Sequence, residues 1–115
     1  MKTISYVPSI CKEPESKWSG EIILRLLTFD EKCEYIDQVQ EMMEKFSALE
    51  PDKKNMKMAR VMVQMSKPHY VSCKLKRADG LEISSFDEMQ YEEELHNVMV
   101  EVSGLMAQGF KVGNG

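Results

Sequence analysis

The chain has few of the residues that staple a fold or do chemistry. Cysteine occurs three times, at Cys11, Cys33 and Cys73. An odd number at wide spacing excludes a disulfide framework and points to free thiols in a reducing compartment. Periodicity assigns two of the three to the core. Histidine occurs twice, as His69 after a proline and as His96 beside Glu93 and Glu94. The second group is read as the charged surface of a helix and not as a ligand set. A glycine-rich phosphate loop, a Cys-x-x-Cys pair, a nucleophile elbow and a twelve-residue calcium loop are all missing. The expectation is therefore a protein that is not an enzyme and holds no cofactor or metal. Positive charge is also short, with 15 Lys and Arg against 19 Asp and Glu and a net charge of −4. Lys74, Lys76 and Arg77 form the nearest approach to a basic patch and are read as the solvated face of one strand. No nucleic-acid partner is expected. No run approaches the roughly 20 apolar residues of a membrane span, and no secretory signal is visible. No membrane association and a cytoplasmic location are expected.

What is present is organised around Gly20 to Leu49. The β-branched run Ile22-Ile23-Leu24-Arg25-Leu26-Leu27 leads directly into Thr28, and Glu31 follows three residues later. That spacing is a capping box, in which the Thr28 hydroxyl and the Glu31 carboxylate each satisfy a free N–H of the helix end. It predicts a strand over Glu21 to Leu27 turning into a helix with almost no loop. Apolar residues at Phe29, Cys33, Ile36, Val39, Met43, Phe46 and Leu49 recur at steps of three and four and are expected to face the core. The opposite side carries mostly acidic residues, and Pro51 is expected to end the helix.

A second helix is predicted from about Asp52 to about Ser66, with Met56, Ala59 and Met62 or Val63 on one stripe. Met58, Val61 and Met65 fall outside that stripe. A helix apolar around most of its circumference is either buried or covered by another chain, so these three are candidate partner-binding residues. Ten methionines in 115 residues are a high share; methionine fills irregular cores and also serves adaptable binding surfaces, and core filling is the expected role of most of them. Val71, Cys73 and Leu75 alternate with Ser72, Lys74 and Lys76, and Asp79-Gly80 signals a turn, so Tyr70 to Ser84 reads as a hairpin. Ser85-Phe86-Asp87-Glu88 then repeats the Thr28-Phe29-Asp30-Glu31 pattern. A shared capping solution explains this as well as a duplication does. The last helix continues through Leu95, Val98, Met99, Val102, Leu105 and Met106, and Met89 and Tyr91, slightly out of phase with that stripe, suggest a start in two parts. Gly104 inside it marks either a close approach or simple tolerance. Gly109 and Phe110 suggest a left-handed cap folding back on Leu105.

Together these elements predict one domain over residues 1–115, of α+β class, with a small, mainly antiparallel sheet packed with three principal helices. Residues 1–17 supply an edge strand, Ile4 to Val7, and a loop. Trp18 is read as packing beside the core strand, and residues 110–115 as a flexible tail.

The strand from Ile22 to Thr28 leading into an acidic helix, the passage of Asp79-Gly80-Leu81-Glu82-Ile83 into Ser85-Phe86-Asp87-Glu88-Met89, and the closing Gly109-Phe110-Lys111-Val112-Gly113-Asn114 resemble the tail assembly chaperones of long-tailed bacteriophages. The resemblance covers about four-fifths of the chain and is one of layout. It implies a non-catalytic protein that binds the tape measure protein, recruits tail-tube subunits and leaves before the virion is complete. It also implies a second form extended by a ribosomal frameshift, and self-association in several copies. Met58, Val61 and Met65 are the first candidates for the partner contact, with Phe110 and Val112 second. Two other readings compete: a small adaptor or regulatory domain with one folded partner, and a structural head or tail component that stays in the particle.

Overall fold

The computed structural model describes residues 2–108. Four strands form one antiparallel sheet in the order β1-β2-β3-β4: β1 Thr3–Tyr6, β2 Trp18–Arg25, β3 Tyr70–Arg77 and β4 Glu82–Ile83. Between β1 and β2 lies one helical turn, α1 (Ser9–Lys12). A hairpin of two long helices, α2 (Phe29–Lys45) and α3 (Pro51–Ser66), joins β2 to β3. After β4 come a single turn, α4 (Phe86–Met89), and α5 (His96–Ala107). The class is α+β, with three substantial helices among the described residues.

The strands alternate, and this places the core. Tyr6, Ile22, Leu24, Cys73, Leu75 and Ile83 are buried on one face, where α5 presents Val98, Met99, Val102 and Met106. The other face carries Ser5, Glu21, Lys74 and Lys76, with Ser5 Oγ donating to Glu21 Oε2 at 2.5 Å. Two layers therefore enclose one core, and the outer face of the sheet is open.

Gly20 sits inside β2 with φ +119°, and a Cβ there would lie 1.8 Å from the Lys74 carbonyl oxygen. Only glycine fits this crossing of β2 and β3. The predicted hairpin is present. Gly80 has φ +100°, the Asp79 carboxylate accepts from Leu81 N–H at 3.2 Å, and Arg77 N–H donates to Leu81 C=O at 2.8 Å.

Four expectations need correction. First, α2 ends at Lys45, with Phe46 as its C-cap, and Pro51 opens α3 instead of closing α2. Proline suits a first helical turn because its missing N–H would have no partner there. Second, Val71 does not share the inner face of Cys73 and Leu75. The β2–β3 register jumps from Ile23↔Ser72 to Leu24↔Tyr70, so Val71 is the extra residue of a bulge and is exposed, while Tyr70 turns in to meet Phe86 edge-on at 4.9 Å. Third, the inward face of α2 is Tyr35, Val39 and Met42; Phe29, Cys33, Ile36 and Met43 point to solvent. Fourth, Arg77 leaves the Lys74 and Lys76 face. It forks onto Asp79 at 2.8–3.0 Å, approaches Glu92 at 3.5 Å and stacks over the Trp18 ring at 5.7 Å.

Trp18 packs in the core as expected, and its indole N–H donates to Glu94 Oε2 at 2.6 Å. This ties the segment before α5 to the sheet end. The final helical region does come in two parts, α4 and α5, and a Cβ on Gly104 would meet open space, so that glycine reflects tolerance. The Gly109 and Phe110 cap lies outside the described residues.

Candidate partner-binding surfaces

Three contacts set the position and rotation of α2. Thr28 Oγ1 accepts from Glu31 N–H at 3.2 Å, and Glu31 Oε1 accepts from Thr28 N–H at 2.9 Å, completing the predicted capping box. The same carboxylate takes both arms of the Arg25 guanidinium at 2.9 Å. Farther along, the Tyr35 hydroxyl, inside the core, donates to the Ser103 carbonyl of α5 at 3.0 Å. Strand β2, the helix start and α5 are thereby fixed relative to one another.

With Tyr35 inward, a second apolar stripe is left on the outside of α2. Phe29 is 79% exposed, Ile36 and Met43 are exposed, and Cys33 lies between them. Asp30, Glu34, Asp37, Glu41 and Glu44, all exposed, run along its solvent flank. On α3, Met58, Val61 and Met65 occupy one stripe and are each half-buried; Met65 packs against the main core. The neighbouring side of α3 faces α5 across an open groove of about 440 Å³. Ala59, Val63 and Met99 lie in it, with Met56 (74% exposed) and Val100 also lining it, and Arg60 and His96 add polar groups. Phe110 and Val112 lie outside the described residues. Sequence reasoning missed the α3–α5 groove and the α2 stripe as surfaces. The available signal was that α2 carries two apolar stripes, one containing Tyr35, while the protein has room to bury one.

No protein-family model, curated protein or solved structure matches this chain.

A polar cluster lies where β2, α2 and the turn before β3 meet. His69 is buried in the 3-10 turn Lys67–His69, its Nδ1–H donating to the Arg25 carbonyl at 3.2 Å and its Nε2 4.0 Å from Glu31 Oε2. Arg25 and the Thr28 N–H hold the Glu31 carboxyl down at about 2, while burial lowers His69 from its ordinary value. Glu31 is thus a weak base with both oxygens engaged, and the cluster acts as a pin. His96 Nε2 bonds to the Gln90 carbonyl at 2.8 Å, and Glu94 is drawn toward Trp18, Lys17 and Arg77. Among the described residues no three His, Cys, Asp or Glu side chains converge as a metal site, and no helix is long and apolar enough to cross a membrane.

Proposed function

We propose that the protein is a non-catalytic tail assembly chaperone that captures apolar helical segments of the tape measure protein and recruits tail-tube subunits. The observation that supports this reading is the groove between α3 and α5. Its apolar lining of Met56, Ala59, Val63, Met99 and Val100 has the form of a helix-in-groove site. Methionine suits such a site because its unbranched, polarizable side chain adapts to apolar segments of different shape. Met58, Val61 and Met65, on the adjoining stripe of α3, either extend the contact or support the helix from behind.

The test is co-expression with the tape measure reading frame next to the native gene. The wild-type protein should keep the tape measure in solution and co-purify with it in several copies. Met56→Ser with Val100→Ser should lose the cargo while keeping the melting temperature, since both side chains are exposed. A complex with one folded partner at fixed stoichiometry would favour the adaptor reading. A product that stays in finished particles would favour the structural one. Expression with the downstream DNA, followed by intact mass, adds an independent check: a longer, frame-shifted product supports the chaperone reading.

A further inference from the structure

We infer that the exposed stripe of α2 is a docking seam for a second helix, one that carries a row of Lys or Arg beside its apolar edge. This surface is separate from the α3–α5 groove and does not depend on what cargo that groove takes.

The spacing of the stripe specifies the occupant's shape. Phe29, Cys33, Ile36, Gln40 and Met43 follow one another at steps of four, three, four and three, the a/d pattern of a helix-pairing seam, over about 21 Å. A seam restricted to those positions is narrower than the apolar face a helix lays on a globular core, and it suits one partnering helix. Gln40 stands at a single seam position, the place where a polar residue fixes register. The two rows beside the seam differ. Toward the domain come Lys32, Val39 and Phe46, all half-buried. Toward solvent come Asp30, Asp37 and Glu44, with Glu34 and Glu41 one position farther round, and all five carboxylates are exposed. The open row is therefore wholly acidic.

That asymmetry specifies the occupant's charge. Residues in this row face the flank of the incoming helix, and like charges placed there oppose pairing. A second copy docked antiparallel would set Asp30, Asp37 and Glu44 against the same three residues, and the chain is already net negative. An anionic membrane surface meets the same opposition. A helix with a basic flank complements the row and leaves Phe29, Ile36 and Met43 to pack against its seam.

The probe is a synthetic peptide of about three heptads with Leu at the seam and Lys at the flanking positions, alongside a twin with Glu in place of Lys. Labelled peptide is titrated with the full-length protein by fluorescence anisotropy, and amide shifts map the contact. The expected result is at least about tenfold tighter binding of the Lys peptide, with shifts confined to α2. Ile36→Ser with Met43→Ser should weaken it at least about tenfold at unchanged melting temperature. Asp37→Lys with Glu44→Lys should reverse the preference between the peptides. Equal binding of both peptides, or Lys-peptide binding indifferent to the seam variant, would overturn the inference. So would a solution dimer that the seam variant dissolves, because a second copy would then cover the stripe. Met56→Ser with Val100→Ser should leave Lys-peptide binding within about twofold, which separates failure of this inference from failure of cargo capture in the groove.

Discussion

Two adjacent methionines on α2 give the sharpest test of the helix's rotation. The apolar periodicity selects Met43 as core, whereas in the fold Met42 is 7% exposed and Met43 is 48% exposed. Replacing a buried methionine by alanine loses transfer free energy and leaves a cavity, at about 2–5 kcal/mol. Met42 lies outside the main cluster, toward the far end of the helical hairpin where neighbours can relax inward. Its cost should therefore fall near the low end, about 2 kcal/mol. For a domain of this size that lowers the melting temperature by roughly 8–10 °C. Met43→Ala trims a side chain that is about half exposed and exchanges a good helix former for the best one, so its effect should stay within about 0.5 kcal/mol. Urea unfolding and thermal melts of both variants measure the difference, with the urea m-value confirming that the denatured state is unchanged. A larger loss for Met43→Ala than for Met42→Ala would mean that α2 is turned the other way, and the docking seam inferred above would vanish with it.

The two glycines with opposite surroundings should respond in opposite directions. Gly20→Ala drives a Cβ into the Lys74 carbonyl at a backbone angle that L-residues rarely adopt, so the protein should be strongly destabilised or fail to accumulate; Gly104→Ala should gain about 0.5–1 kcal/mol in a chemical melt. Among the thiols, Cys33 is exposed, Cys11 is half-buried, and burial holds Cys73 up at about 11. A chromogenic disulfide reagent at pH 8 should modify Cys33 first and Cys73 only on unfolding, and a Cys33→Ser variant that keeps the fast phase would contradict this. Acid should weaken the fold in two stages with the same sign. His69 has a lowered native value, so the unfolded chain takes up its proton first and stability declines below about pH 6.5. Glu31, held near 2 chiefly by Arg25, contributes stability above the usual carboxylate range that is lost as pH falls toward that value. His69→Gln should flatten the decline in melting temperature between pH 7 and 5.5 and leave the lower stage in place.

Much of the fold was legible because local chemistry and tertiary structure agree. Thr28 and Glu31 announce a helix start that the fold keeps to the residue, and Asp79-Gly80 places the hairpin turn. The second helix start uses the same means one position displaced: Ser85 Oγ accepts from Glu88 N–H, while the Glu88 carboxylate reaches Ser84 N–H instead of Ser85. What misled was periodicity wherever two patterns coexist. The bulge at Val71 changes the phase of a strand by one residue, which alternation alone does not reveal. Phe29 looks like core by hydropathy, yet it stands at the first turn of α2 and is more exposed than Ile36 or Met43. The groove was hidden for another reason, since its two walls come from helices some 40 residues apart in sequence.

Apolar content alone does not choose which stripe of α2 faces inward, because Phe29, Ile36 and Met43 offer about as much hydrophobic surface as Tyr35, Val39 and Met42. Polar contacts decide. In the observed rotation Glu31 reaches Arg25, and the Tyr35 hydroxyl finds the Ser103 carbonyl. Turning the other stripe inward would break both contacts and swing Asp37 and Glu44 toward the core edge. A lost hydrogen bond to a charged group costs about 1.5–3 kcal/mol and a lost neutral one about 1 kcal/mol. Moving carboxylates from water adds to the cost. These costs favour the observed rotation. The same contacts that fix the domain therefore leave an apolar seam with an acidic border on its surface, and a partner that covers the seam gains the burial that folding alone does not supply.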